Sequence, residues 1–230
     1  LHSFPTRRSS DLQAQSREEY LAHLVEAAER DIAWDPAPIG RYNVAPGTKV
    51  LLLNERDEQL HLDAVYWGYA PGWWDKPPLI NARVETAASS RMFKPLWEHG
   101  RAICFADGWF EWKKEGNTKQ PYFIQRKDGQ PIFMAAIGRT PFERGDHAEG
   151  FLIVTAAADR GLVDIHDRRP LVLAPEAARE WMRQDVTGAE AAEIASIGAV
   201  PADDFTWHPV TRAVGNVKNQ GPELLAPLIP

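Results

Sequence analysis

The sequence predicts an α+β fold in which a strongly curved antiparallel sheet forms an open barrel flanked by helices. Three observations lead there. Many short apolar or aromatic runs lie between turn signals. Helical patterns are few and fall at intervals among those runs, which suits helices set against a sheet rather than alternating βαβ units. The 230 residues are 44% apolar and 25% charged, with no internal repeat and no long linker, as expected of one domain spanning residues 13–230.

Leu1 to Leu12 shows neither periodicity nor capping logic. It reads as a non-native or disordered tail, of the kind that sequencing-adapter read-through leaves ahead of a genuine frame. Ser16 and Glu19 then form a capping box, and Tyr20, Leu21, Leu24, Val25 and Ala28 recur at helical spacing, so a helix is predicted from Arg17 to about Arg30. Asp35-Pro-Ala-Pro38 breaks it. Val50–Leu53 and Leu60–Trp67 flank a charged turn and read as a hairpin. Gly and Pro make residues 68–80 a loop. Thr86–Trp97 reads as helical, broken near Pro95. Short strands are predicted at Ala102–Phe105, Trp109–Lys113, Tyr122–Arg126, Phe133–Ile137 and Phe151–Thr155. Pro175 opens a helix to Arg183, a second helix covers about Ala189 to Ser196, and Phe205–Val210 is a late strand.

The bulk numbers exclude some classes. No apolar run approaches the roughly 18 residues of a membrane span, and no secretory signal is visible. The single cysteine, Cys104, cannot form an internal disulfide, which favours a reducing cytoplasm. No Cys/His cluster has zinc-ligand spacing, so no metal and no cofactor is expected. The formal charge of −6 argues against long nonspecific coating of duplex DNA but leaves room for a local basic cleft.

Three patches carry chemistry: Trp67-Gly-Tyr-Ala-Pro-Gly-Trp-Trp74 with Asn81-Ala-Arg83, Ala106-Asp-Gly-Trp-Phe-Glu-Trp112, and Ile165-His-Asp-Arg-Arg-Pro170. Trp73 and Trp74 are adjacent in a Pro/Gly loop and cannot easily share one buried face. An exposed indole suits stacking on unpaired bases, worth about 1–3 kcal/mol per base; the alternative is that both pack inward. Arg83 and Arg168 have the fork that matches phosphate oxygens, or are ordinary surface arginines. Strand alternation puts Glu111 on the face of Trp109, opposite Phe110 and Trp112. Aromatic surroundings would make it a proton carrier near neutrality; otherwise it faces solvent beside Lys113. His166 is an acid–base candidate or a structural histidine, and the other six histidines lack supporting context. Cys104, in Ala-Ile-Cys-Phe, reads as an inert core thiol. Val214-Gly-Asn-Val-Lys-Asn-Gln220 reads as a surface turn that could border a pocket.

Taken together, Arg41-Tyr-Asn-Val-Ala-Pro46, Trp67-Gly-Tyr-Ala-Pro71, Asn81-Ala-Arg-Val-Glu-Thr86, Ala106-Asp-Gly-Trp-Phe-Glu-Trp112 and Ile165-His-Asp-Arg168 occur in the order found in the SRAP (SOS response-associated peptidase) family, and the chain from Gln13 onward resembles that family. The resemblance implies an abasic-site sensor that binds single-stranded DNA or abasic-site junctions, works as a monomer without a cofactor, and acts in the cytoplasm, on the nucleoid when bound. It implies a protective thiazolidine crosslink between the lesion aldehyde and an N-terminal Cys, with the peptidase label reflecting processing of the protein's own amino terminus. Carried onto this chain, Asn81, Glu111 and His166 are the expected catalytic residues. Trp73 and Trp74 stack on or wedge bases, Arg83 and Arg168 grip phosphates, and Pro46 and Thr155 line the wall. The family opens Met-Cys-Gly-Arg. A gap-free count puts that Cys at Arg8, the Gly at Ser9 and the Arg at Ser10, so the sequence as written is expected to bind without crosslinking. A purely noncovalent single-stranded DNA module is the alternative. A general protease is disfavoured, because nothing around Cys104 forms a triad.

Overall fold

The computed structural model describes residues 10–24, 39–139, 150–159 and 161–229. Two sheets face each other. The smaller contains β1 (Ser10–Gln13), β2 (Arg41–Val44), β7 (Gly108–Glu115), β8 (Thr118–Arg126) and β13 (Phe205–Pro209) in the order β13-β8-β7-β1-β2. The larger runs β11 (Arg168–Pro170), β10 (Gly150–Ala157), β9 (Ile132–Arg139), β6 (Arg101–Ala106), β3 (Lys49–Arg56) and β4 (Gln59–Tyr66). To this path β12 (Val172–Leu173) adds on β9 and β5 (Asn81–Arg83) on β10. Of these pairings only β5 with β10 is parallel; the rest are antiparallel. This is the predicted α+β architecture of curved antiparallel sheet with few helices.

The core follows from the two-residue period of a strand. On β6, β9 and β10, Ala102, Cys104, Ala106, Ile132, Met134, Ala136, Phe151 and Ile153 face the smaller sheet, where they meet Trp67, Trp109 and Phe205. The alternate residues Ile103, Phe105, Phe133, Ala135, Ile137, Leu152 and Val154 face the helices, packing with Tyr20, Trp97, Trp181 and Ile194. Covered on both sides, these strands read as near-continuous apolar runs. Cys104 lies buried here, as expected.

The helices are α1 (Arg17–Leu21), α2 (Val84–Ala87), α3 (Lys94–His99), α4 (Pro175–Met182) and α5 (Gly188–Ile197). The Ser16/Glu19 capping box starts α1 as expected. Turn residues 22–24 follow it, and the remainder of the predicted first helix lies outside the described residues. The predicted Thr86–Trp97 helix is two short helices joined by a turn. Pro95 lies in the first turn of α3, where a missing N–H costs nothing, so it starts a helix rather than breaking one. β1 begins at Ser10, inside the stretch read from sequence as a tail. Main-chain pairing with Phe110 and Val44 holds it, and that pairing leaves no periodic mark in so short a strand.

Candidate functional site

Trp67 organises the site. Its carbonyl accepts from Gly47 N at 2.9 Å, its amide donates to Thr48 O at 3.0 Å, and its indole Nε1 donates to Ile80 O at 3.1 Å. The ring stacks on Phe151 with centroids 6.2 Å apart. One buried residue thus fixes the Pro46 turn through its backbone and the entry to β5 through its indole. Arg41 braces the same turn through Lys49 O at 2.6 Å and Thr48 Oγ1 at 3.0 Å.

From Ile80 the chain enters β5, whose parallel register sets Asn81 beside Ile153 and Arg83 beside Thr155. Ala82 packs into the helix-side core. Alternation therefore turns Asn81 and Arg83 toward the space between the sheets, the side that Ile153 and Thr155 share. Across that space, β7 buries Trp109 in the inter-sheet core and turns Phe110 and Trp112 to the outer cluster. Glu111 is half-buried, and alternation with Phe110 and Trp112 in the outer cluster puts it on the face of Trp109, as read from sequence. By alternation Asn81 and Arg83 share the face of Ile153 and Thr155 on the larger sheet and Glu111 the face of Trp109 on the smaller, while Ile80, Tyr122, Ile153, Ile165 and Trp109 belong to the core between the sheets.

The end of β10 brings in the third patch. Ile165 anchors in the inter-sheet core, leaving His166 exposed after it. Arg168 N donates to His166 Nδ1 at 3.1 Å; Asp167 Oδ1 lies 3.3 Å from the same nitrogen. The Arg168 side chain turns back to donate to Thr155 O at 2.7 Å and to Glu85, on α2, at 2.7 and 2.9 Å. This hydrogen-bonded pairing holds the Glu85 carboxyl below the ordinary carboxylate range. Sequence reasoning took Arg168 as open to phosphate, whereas its fork already holds a carboxylate. Glu85 and Trp67 received no role from sequence, although both lie inside the motifs that drew attention.

The loop between Tyr69 and Leu79 is closed at its neck, two residues before Asn81, by paired backbone hydrogen bonds of 2.8 and 2.9 Å. Trp73 is 68% exposed. Trp74 is half-buried, set edge-on to Trp73 with centroids 6.0 Å apart, and its Nε1 donates to Pro77 O at 3.0 Å. Lys76 Nζ lies 5.4 Å from the Trp74 ring centroid. One ring is exposed, and its neighbour is fixed edge-on against it. Val214–Gln220 is a latch as well as a turn: Gln220 Oε1 accepts from Tyr42 N and Asn43 N while its Nε2 donates to Asn43 O, filling the open edge of β2.

Two polar cavities of about 240 and 290 Å³ lie around Glu55, His99, Arg101 and Gln184, toward the other end of β6 and β9 from Thr155. They gather none of the aromatic platform, and Arg101, their buried cation, is bound by backbone carbonyls. Among the described residues no group of three His, Cys, Asp or Glu side chains could hold a metal, and no helix is long and apolar enough to cross a membrane.

Residues 7–217 match the SRAP family, SOS response associated peptidase, and the chain belongs to that family. It is 81% identical over 216 residues to the abasic site processing protein YedK of Escherichia coli, covering 94% of this chain and 97% of that protein. It is 29% identical over 225 residues to the abasic site processing protein HMCES of Gallus gallus, covering 81% of this chain and 66% of that one. Among solved structures, a phage-related protein of Bordetella bronchiseptica superposes with a TM-score of 0.76 at 35% identity, covering 89% of this chain and 95% of that one.

Proposed function

We propose that the inter-sheet cleft seats a baseless nucleotide of single-stranded DNA and presents its aldehyde to an amino-terminal cysteine. The observation that supports this reading most is the β5–β10 register, which sets Asn81 and Arg83 on the face of Ile153 and Thr155, in a chain that also exposes Trp73 and is 81% identical to an abasic site processing protein. Trp73 stacks on a neighbouring base and Trp74 braces it. Arg83 and Arg168 meet flanking phosphates, Asn81 holds the sugar or the amino-terminal residue, and Pro46 and Thr155 close the walls.

The chemistry follows from the amino-thiol. An α-amine has a pKa of about 7.7–8.0, so a useful fraction is neutral at physiological pH. It adds to the C1′ aldehyde of the open sugar and loses water to give an imine. The cysteine thiol, its sulfur two carbons from the nitrogen, then adds across the C=N bond: sulfur bonds to the imine carbon and the thiol proton passes to the nitrogen as the five-membered thiazolidine closes. The second attack is intramolecular and gains accordingly. Glu111 carries protons for ring opening and imine formation, and His166 acts on the sugar oxygen. β1 supports the placement of the amine: Ser10 pairs with Phe110, so the strand enters the sheet one residue from Glu111.

Cys104 cannot serve, being buried and mid-chain. The noncovalent part of this reading is recognition of single-stranded DNA by the residues named above. Fluorescence anisotropy of the 230-residue chain tests this. Tighter binding to single-stranded than to duplex oligonucleotide is expected. Trp73→Ala should weaken it by about 1–3 kcal/mol, and Arg83→Ala should flatten the salt dependence by roughly 0.7 in log–log slope. Equal affinity for duplex, or indifference to both substitutions, would refute the site.

A further inference from the structure

Arg168 reaches solvent by one edge only. Nη1 and Nη2 each donate to a Glu85 oxygen, at 2.7 and 2.9 Å, and Nη2 also donates to Thr155 O at 2.7 Å. Nε is buried with no hydrogen-bond partner among the described residues, so the opposite edge of the fork is closed. Of the five N–H groups of a guanidinium, this leaves one on Nη1. The two partners differ in freedom. The Arg168 side chain is 17% exposed and tied to β10, whereas Glu85 is 48% exposed on a single turn of helix. End-on pairing of a carboxylate across Nη1 and Nη2 is the geometry a phosphate would take.

Resting on the DNA-binding reading above, we propose that Glu85 is an internal occupant of the Arg168 phosphate site, a carboxylate that DNA must displace in order to bind. An exposed ion pair is worth little, so the exchange is within reach of a phosphate. It still sets a threshold: a strand that brings no phosphate to that point gains nothing from Arg168. Displacement also leaves Glu85 uncompensated, and the carboxylate then gathers a cation from solution. That uptake offsets part of the counterion release that drives binding.

Glu85→Gln tests the exchange, because glutamine keeps the size and loses the charge. Anisotropy with a 5′-labelled single-stranded oligonucleotide, titrated at several salt concentrations, should show Glu85→Gln binding roughly two- to fivefold tighter than the parent, the scale of an exposed ion pair. Its log–log salt slope should be steeper by up to about 0.7. Glu85→Ala should behave alike, and the gain should vanish in the Glu85→Gln/Arg168→Ala double variant. A thermal melt of each variant establishes folding. If folded Glu85→Gln binds no tighter, or more weakly, Glu85 is a support for Arg168 and the proposal is overturned. If the parent chain itself binds no oligonucleotide at low salt, the fault lies with the DNA-binding reading and the proposal falls with it.

Discussion

Asp107 holds the segment that follows β1. Its Oδ2 accepts from Ala14 N at 3.0 Å and from Tyr20 Oη at 2.7 Å, and its Oδ1 accepts from the Gln15 side-chain amide. Three donors favour the carboxylate, yet burial outweighs them and pushes the Asp107 carboxyl above its ordinary range. Burial beside that carboxylate also pushes the Tyr20 phenol up. The sign for stability follows. A carboxyl with a folded pKa above its unfolded value, about 3.9, contributes stability fully below that value. The contribution is lost as pH rises through the folded pKa. Asp107→Asn removes the titration, so the stability of the parent relative to this variant should fall as pH rises from about 4 to about 7. Denaturant unfolding at both ends of that window checks it, and a constant difference would show that Asp107 ionises without penalty. Glu85 carries the opposite sign, its contribution being lost as pH falls. At this scale the sequence exposed some residues and hid others. Glu111 could be placed by alternation inside one strand. The Glu85–Arg168 pair could not, because its members lie 83 positions apart and meet only through the β5–β10 pairing.

Between elements, Arg101 does the joining. Its guanidinium donates to Trp181 O at 2.8 Å, Trp97 O at 2.7 Å, Glu98 O at 3.1 Å, Arg183 O at 2.8 Å and Val186 O at 2.6 Å. These carbonyls gather at the carboxy-terminal ends of α3 and α4, where helix carbonyls lack partners and the helix dipole favours a cation. Burial lowers the Arg101 pKa, but a guanidinium stays charged at any working pH. Arg101→Met should cost about 2–4 kcal/mol by stranding buried acceptors, read as a lower denaturation midpoint with an unchanged slope. A loss below about 0.5 kcal/mol would mean that water replaces the arginine. Long strands and capped helices were legible: the β3–β4 hairpin, the β6–β10 series, the capping box of α1 and Pro175 at the start of α4. The strand that carries Asn81 and Arg83, β5, and the one that leads to the Pro46 turn, β2, run three and four residues. Pieces this short carry no period of their own, and non-local hydrogen bonds define them.

Over the whole molecule, one wide sheet is shared by two cores, with helices on one face and a second sheet on the other. The candidate polar residues come from β5, β7, β10 and the turn after it. Strands can hold such groups more rigidly than loops. The open-barrel class was legible from strand count and turn spacing. The strand order was not, because β1 reaches β7 and β5 reaches β10 across long stretches of chain. The most direct test places Met-Cys-Gly-Arg-Phe-Ala ahead of Gln13, mixes that protein with an abasic single-stranded oligonucleotide, and reads intact mass after hydroxylamine treatment. The proposed chemistry predicts a one-to-one adduct with that form and only free protein when its second residue, the cysteine, is replaced by serine. No adduct on the first, or a resistant adduct on the second, would contradict it.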